Sequence, residues 1–164
     1  MRMAAPLLLL ATALLAACGL QPMYAGGGSG AVAQGLAAVE VSPIEGRAGW
    51  LMRNALRDRL AAGEANSPRY RLDVLLDDRL EGLGLLTDET IGRERRTLRA
   101  RYQLVDVASG QVLVDATAGS DAGIDVVSSE YATIAAEQTA LENLTREVAD
   151  RIVTRLTIAL RDQS

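Results

Sequence analysis

The strongest constraint on the fold is an alternation of apolar and polar residues that continues across one short turn. Between Arg95 and Val105 the residues on one side of the alternation are Leu98, Ala100, Tyr102 and Leu104. After the segment 106–111, with the sequence DVASGQ, it resumes with Val112, Val114, Ala116 and Ala118. A period of two residues places alternate side chains on opposite faces of a strand. The pattern therefore predicts an antiparallel β-hairpin with one apolar face.

A long helix is predicted after this hairpin, because neither Pro nor Gly occurs from Ser128 to the end of the sequence. Ser128-Ser129-Glu130 is typical of a helix start. One apolar stripe follows at helical spacing: Tyr131, Ile134, Leu141, Leu144, Val148, Ile152, Leu156 and Leu160. These positions predict a single helix of roughly 30 residues. Its polar side mixes acidic residues with arginines, which favours packing on a sheet over lying on a membrane surface.

Three further elements are predicted before the hairpin. Residues 36–44 indicate a short edge strand that stops at Pro43. Glycines in residues 46–49 interrupt the pattern of the strand. From Trp50 onward, apolar residues at helical spacing predict a helix of about three turns. Alternation from Tyr70 to Asp77 predicts a half-buried strand, and residues 83–85 either extend it or form a weaker strand.

The order β-α-β-β-β-α predicts a two-layer α+β domain with two helices packed on one face of a small mixed sheet. The first two strands run parallel if they pair, because a helix connects them. The other face of the sheet stays open to solvent or to a partner. This single domain is expected to span residues 36–164.

The N-terminus predicts export. A charged start, Met1-Arg2-Met3, precedes an apolar run from Ala4 to Leu15 that is shorter than the roughly 20 residues of a membrane-spanning helix. Leu15-Ala16-Ala17-Cys18 resembles the lipobox of bacterial lipoproteins, which implies removal of residues 1–17 and lipidation of Cys18. Gly19 in place of Asp is similar to lipoproteins that are sorted to the outer membrane. The alternative is a soluble periplasmic protein with a chance cysteine at its cleavage site.

Residues 18–35 are expected to form a lipidated N-terminus and a Gly-rich tether. The stretch Ala25–Gly35, AGGGSGAVAQG, holds too little apolar surface to fold by itself. A tether of this kind would let the domain sit a little off the bilayer and reorient.

Composition excludes several classes of function. With Arg2 removed, 16 arginines face 21 acidic residues, a side-chain charge of −5, which does not indicate a nucleic-acid binder. Histidine is absent and Cys18 is the only cysteine, so the usual metal ligands and general bases are missing. We therefore expect no enzyme activity, no metal and no cofactor. An envelope hydrolase would have to work with hydroxyls and carboxylates alone.

Minor candidates for a site have simpler interpretations. Asp77-Asp78 and Asp88-Glu89 could act as paired carboxylates, but turn-like, charged surroundings favour solvated side chains. Gly82-x-Gly84 lacks the rest of a phosphate-binding loop. Trp50 is expected to cap the core at a helix start rather than to stack on a ligand.

The mature sequence resembles the lipopolysaccharide-assembly lipoprotein family LptE. The similarity is carried, in the right order, by Cys18-Gly19-Leu20-Gln21-Pro22-Met23-Tyr24, by Trp50-Leu51-Met52-Arg53-Asn54-Ala55-Leu56, by Tyr70-Arg71-Leu72, by Tyr102-Gln103-Leu104-Val105-Asp106 with Ser109-Gly110, and by Tyr131-Ala132 with Ala136-Glu137. The resemblance implies a non-catalytic plug inside the outer-membrane β-barrel LptD. Such a plug supports assembly of the barrel and helps to deliver lipopolysaccharide to the cell surface.

One charged cluster fits this implied role: Arg93, Arg95, Arg96, Arg99 and Arg101. In a strand its odd-numbered members share a face, and a guanidinium matches phosphate bidentately. These arginines are therefore a hypothesis for lipopolysaccharide binding, and a solvated strand face that discourages edge pairing is the alternative. The runner-up for the whole protein is the auxiliary lipoprotein of an envelope ABC-type lipid transport system.

Overall fold

The structure, a computed structural model, describes residues 30–60, 67–83 and 92–162. Its elements are α1 Ala31–Ala37, β1 Val39–Val41, α2 Gly46–Leu60, β2 Tyr70–Gly82, β3 Arg93–Asp106, β4 Val112–Asp125 and α3 Glu130–Arg161. The four strands form one sheet in the order β1-β2-β3-β4. β1 is parallel to β2, and the other neighbours are antiparallel. The predicted two-layer α+β arrangement with a mixed sheet is confirmed, with α1 as an additional element.

The hairpin of β3 and β4 is confirmed, and both strands are longer than predicted, at 14 residues each. Its turn is held by the carboxylate of Asp106, which accepts the backbone N–H of Ala108 at 3.1 Å and of Ser109 at 2.9 Å. Gly110 completes the turn at φ 72°, a left-handed conformation that favours glycine. The turn is therefore rigid and fixes the pairing of the two strands.

The long helix α3 is confirmed, with 32 residues and a length of about 48 Å at 1.5 Å per residue. The hydroxyl of Ser129 caps it by accepting the backbone N–H of Ala132. The predicted stripe is buried from Leu141 onward, but its beginning is wrong, because Tyr131 is 83% and Ile134 43% exposed. Thr133 takes the inward position in the first turns instead.

The N-terminal prediction also needs correction. Residues 31–35 belong to α1 and not to a flexible tether, because Leu36 buries its side chain in the core and orders the turn before it. The first strand keeps only Val39–Val41 of the predicted residues 36–44, and it lies at the sheet edge as predicted. Residues 25–29 lie outside the described residues.

Helix α2 begins at Gly46, earlier than predicted, and the glycines do not interrupt it. A Cβ on Gly49 would lie 2.5 Å from the carbonyl oxygen of Ile44, so no larger residue fits in this first turn. Gly46 itself has φ 77°. Both glycines therefore permit a tight entry into the helix.

Strand β2 continues to Gly82, beyond the predicted end at Asp77. Asp77 and Asp78 lie opposite Arg99 and Leu98 of β3, so the expected turn-like surroundings are wrong. The pairing with β3 keeps this polar segment extended, which its own sequence does not indicate. Leu85, Asp88 and Glu89 lie outside the described residues.

The core lies between the sheet and the helices. Its largest fully buried apolar side chains are Met52, Leu56, Leu60, Leu72, Leu98, Leu104, Ile152, Leu156, Val39 and Val148. Full burial of one such side chain contributes about 1.5–3 kcal/mol. Both long helices contribute to this one layer, and none of the helices that the structure describes covers the opposite face of the sheet. Among the helices that the structure describes, none is long and apolar enough to cross a membrane.

Candidate functional site

The face of the sheet that is turned away from the helices is called the open face. The odd-numbered residues of β2 and β3 lie on it, and so do those of β4 beyond the single register shift between β3 and β4, at Leu104/Val105. The arginines on this face are Arg71, Arg79, Arg93, Arg95, Arg99 and Arg101, and the acidic residues are Asp73, Asp77, Glu81, Asp115, Asp121 and Asp125. Six positive charges therefore face six negative charges. The open face is a balanced lattice of charges and not a uniformly basic patch.

Most arginines of the open face are paired with a carboxylate. The closest nitrogen and oxygen atoms are 3.4 Å apart for Arg93–Asp125, 3.8 Å for Arg95–Asp121, 3.2 Å for Arg101–Asp115, and 3.0 Å for both Arg71–Asp73 and Arg79–Asp77. Exposed pairs of this kind contribute about 0–1 kcal/mol each, because water screens them. Their guanidinium groups can therefore exchange an intramolecular partner for a ligand anion at little cost.

Arg99 is the exception: among the described residues it has no ion pair. It lies in the middle of β3, opposite Asp77 on one side and Gly119 on the other. A Cβ on Gly119 would lie 3.1 Å from Cγ of Arg99, so the stem of the arginine runs directly over the glycine. The Asp77 carboxylate beside it is bound by Arg79. Arg99 therefore presents an uncompensated guanidinium at the centre of the face.

Leu75 adds an apolar group next to this charge. It lies opposite Arg101 on the open face and is 74% exposed. An exposed leucine between charged neighbours gains nothing from the fold, since its side chain stays in water. Leu75, Arg99 and Arg101 together form a small amphiphilic patch that can contact both an anion and an alkyl chain.

Hydrogen bonds keep Asp115, the carboxylate beside this patch, ionised. The amide of Gln103 donates to it at 2.8 Å, and Arg101 donates to it at 3.2 Å. These two bonds, with the one from Gln103 the larger, lower the pKa of Asp115 below its ordinary value. The charge pattern around Arg101 is therefore fixed at neutral pH.

Arg96 is set apart from the other members of the predicted cluster. It points to the helical layer, where its guanidinium binds both carboxylate oxygens of Asp78, at 2.9 and 2.6 Å, and the carbonyl oxygen of Glu137 at 3.1 Å. Its side chain is only 16% exposed. The bond to Asp78 raises the pKa of Arg96 further above its ordinary value. Arg96 ties β2 to α3 and does not contribute to the open face.

The remaining candidates form no catalytic arrangement. Asp77 and Asp78 are neighbours in a strand, so their carboxylates point to opposite faces, and each binds an arginine. Within the described ranges, no group of three or more His, Cys, Asp or Glu side chains is placed to hold a metal ion. Cys18 lies outside the described residues.

Trp50 does not cap the core, contrary to the expectation. It is 64% exposed and lines a groove between α2 and α3 together with Asn54, Glu142 and Arg146. The buried position nearby belongs to Met52, two residues later. Met52, Leu56 and Leu60 recur at helical spacing, and all three are buried on the inward side of α2.

Sequence reasoning found the cluster of arginines but could not rank its members. If β3 is a regular strand, the even number of Arg96 places its side chain on the face opposite the odd-numbered arginines. The pairing of each arginine depends on the register with β2 and β4, which the sequence does not specify. The role of Gly119, and therefore the position of Arg99, appears only in the assembled sheet.

Comparison with known proteins gives one family and several structures of the same fold. The family model for lipopolysaccharide assembly, LptE, matches residues 36–156. A Caulobacter crescentus protein described as a lipoprotein is 27% identical, with 82% of this chain and 98% of that chain covered and a TM-score of 0.70. A search of curated proteins found no match.

Two more distant structures show the same fold at low identity. The minor lipoprotein of Acinetobacter baumannii is 14% identical over 74% of this chain and 92% of that chain, with a TM-score of 0.60. The rare lipoprotein B of Shewanella oneidensis is 12% identical over 76% and 96%, with a TM-score of 0.55. Because the family match spans β1 to the last turns of α3, most of the chain, this protein belongs to the lipopolysaccharide-assembly family LptE.

Proposed function

We propose that this protein is a lipoprotein of the outer membrane, anchored through Cys18 at the periplasmic face, and that it fills the lumen of an LptD-type β-barrel. In this role it supports assembly of the barrel and delivery of lipopolysaccharide to the cell surface. The observation that carries the proposal is the family match over residues 36–156. The mechanism is binding, without a catalysed reaction and without a cofactor.

The dimensions of the domain support a plug. Strands of 14 residues extend about 46 Å at roughly 3.3 Å per residue, close to the length of α3. The domain is thus a long, two-layered slab with a rigid core. Barrels of about 22 strands have lumens wide enough to hold a separate plug. A face of balanced charges suits the polar interior of such a barrel, because each exposed pair can be re-formed across the interface.

The amphiphilic patch of Leu75, Arg99 and Arg101 supports contact with lipopolysaccharide. Lipid A offers phosphate groups next to alkyl chains, and a guanidinium binds phosphate with two parallel hydrogen bonds. Arg99 needs no exchange of partner, whereas Arg101 shares Asp115 with Gln103. Arg93 and Arg95 extend the same face and would follow as weaker contacts.

Purification from detergent-solubilised membranes tests the partnership. A tag at the C-terminus of the intact protein should recover a β-barrel of much larger mass in a one-to-one ratio. Recovery of an inner-membrane ABC complex would overturn the proposal and favour the auxiliary subunit of a lipid transport system. Depletion of the protein should also remove the barrel from the outer membrane and lipopolysaccharide from the cell surface.

The lipid anchor has its own test. Intact mass spectrometry of the mature protein should show acyl groups on an N-terminal Cys18. The variant Cys18→Ala should lose membrane localisation while its thermal unfolding stays unchanged, because no described core residue lies near the start of the chain. A soluble variant that still enters the barrel at normal expression would show that the anchor is dispensable.

A further inference from the structure

Strand β4 forms one edge of the sheet along its whole length. It is last in the order β1-β2-β3-β4, and among the described strands it pairs with β3 alone. The backbone N–H of Val126 donates to the carbonyl of Gly92 at 3.2 Å and continues the register of the ladder. Bonded pairs alternate in an antiparallel ladder, so the even-numbered residues of 114–124 bond to β3. The backbone N–H and C=O groups of the odd-numbered residues in 115–125 therefore point away from the sheet.

Within the described residues, one of these outward groups has a partner. Arg151 of α3 donates to the carbonyl oxygen of Gly119, and its other nitrogen binds Glu147 at 2.5 Å. Asp115 and Thr117, which precede Gly119, are exposed, and their outward peptide groups bond to no other described residue. Peptide groups of this kind are a template for pairing with a further strand.

A groove between β4 and α3 lies beside this open part of the edge. α3 runs antiparallel to β4: Ser120 donates to Glu147 at 2.9 Å, and farther along both elements Leu113 and Ile158 line the groove. Ile158 is 36% exposed, and Leu113 and Ala159 are half-buried. The groove therefore offers accessible apolar surface next to unpaired backbone. β2 also lacks a strand partner on its outer side beyond residue 72, but no described helix packs along that edge.

Arg155 lines the same groove without an ion pair. Its side chain is exposed, and no described residue bonds to it. The two carboxylates of the groove already have partners, since Asp115 binds Gln103 and Arg101 and Asp162 lies 3.9 Å from Arg161. Arg155 precedes the exposed apolar residue of α3 by three positions, about 4.5 Å along the helix. Two side chains on one face of an added strand, about 7 Å apart, can therefore reach both the apolar surface and the charge.

We propose that the first half of the β4 edge, residues 113–119, binds an extended peptide segment as a fifth strand of the sheet. The backbone of the segment pairs with Asp115 and Thr117. One of its side chains is apolar and packs on Ile158, and another, two residues away on the same face, is acidic and binds Arg155. Arg151 limits the added strand, because it already occupies the next outward carbonyl.

The chemistry of the edge determines this occupant. A row of peptide donors and acceptors is matched by another extended backbone, which supplies affinity, and the groove for alternate side chains supplies specificity. A lipid or a sugar offers no such alternating row. The occupant is therefore a polypeptide with an apolar and an acidic residue at positions i and i+2.

The inference rests on the proposed function and names one contact between the plug and its barrel. The wall of a β-barrel is closed, so its strands have no unpaired edge to offer. The segment that adds to β4 therefore belongs to a part of the barrel chain outside the wall, a loop or terminus that extends into the lumen. The open face, which lies to one side of this edge, stays available to lipopolysaccharide.

Competition between two plugs for one barrel tests the backbone contact. The wild type and a variant, expressed at equal levels with a tagged barrel, are purified through the barrel and counted by mass spectrometry. Thr117→Pro removes an outward N–H and keeps the ladder to β3, so it should enter the complex about tenfold less often than the wild type. Gly123→Pro makes the same change at an outward position outside the site and should enter it equally.

Two further variants test the groove without changing the backbone. Arg155→Glu should enter the complex about tenfold less often, whereas Arg57→Glu, with the same change of charge on α2, should enter it like the wild type. A photoreactive residue in place of Ile158 should crosslink to one segment of the barrel chain outside the wall, which mass spectrometry identifies.

The outcomes separate the inference from the function on which it rests. If the wild type recovers no barrel, the proposed function and the inference both fail. If a barrel is recovered and both Thr117→Pro and Arg155→Glu enter it as often as their controls, the inference alone is wrong. Crosslinks from position 158 to a strand of the barrel wall, or to a second copy of this chain, would also overturn it.

Discussion

The two faces of strand β3 carry opposite chemistry. On the helical side, Leu98, Ala100 and Leu104 are completely buried. On the open side, Arg99 and Arg101 stand in water. Successive residues of β3 therefore point alternately into the apolar core and towards the charged, solvent-exposed face of the sheet.

This difference separates stability from binding. The helical side excludes water, so each apolar side chain and each hydrogen bond contributes to the free energy of folding. The open side forms pairs that water screens, and its charges are available to a partner. Substitutions on one face should change the unfolding of the domain, and substitutions on the other should change what it binds.

The largest expected effect is a cavity on the helical side. Leu104→Ala removes a completely buried side chain and should lower the free energy of unfolding by about 2–5 kcal/mol. Leu75→Ala, on the open side, should change it by less than about 0.5 kcal/mol, because Leu75 is already exposed. Urea unfolding of both variants measures the contrast. Similar losses for the two leucines would contradict the division between the faces.

The second effect compares two arginines of one strand. Arg96→Ala leaves Asp78 without its partner in a poorly exposed position and should cost about 1–3 kcal/mol of stability. Arg101→Ala breaks an exposed pair and should cost at most about 1 kcal/mol. Thermal unfolding distinguishes them. Equal costs would mean that Arg96 does not join β2 to α3.

A smaller effect is expected in acid. Because the folded state lowers the pKa of Asp115, the stabilisation from this carboxylate is present above its ordinary pKa and is lost as the pH falls below it. The stability difference between the wild type and Asp115→Asn should therefore shrink between about pH 5 and pH 2. A difference that stays constant over this range would show that Asp115 has an ordinary pKa in the folded protein.

The elements with a regular period could be predicted from the sequence, and those without one could not. The alternation from Leu98 to Leu104 and the long stripe ending at Leu160 gave the hairpin and α3 nearly in full. Helix α1 was missed because its Gly- and Ala-rich sequence resembles a linker, and only burial of Leu36 against the core orders it. The polar end of β2 was missed because its pairing with β3 is a long-range property.

For the candidate site, the sequence predicted the residue type and the strand but not the electrostatics. Arg96 could be separated from its neighbours by its even number. Arg99 has no ion pair because Gly119 lies opposite it in β4 and because Arg79 binds the nearby carboxylate of Asp77. Neither contact follows from local sequence. Lipidation of Cys18 remains a prediction.

The most direct test of the account is lipopolysaccharide binding by the purified protein with charges reversed on one face at a time. Arg99→Glu with Arg101→Glu should weaken binding at least about tenfold, because two charge-assisted contacts are lost. Arg57→Glu with Arg146→Glu makes the same change in net charge on the helical layer and should leave the affinity within about twofold. Unchanged affinity in the first variant, or an equal loss in both, would contradict the assignment of lipopolysaccharide binding to the open face.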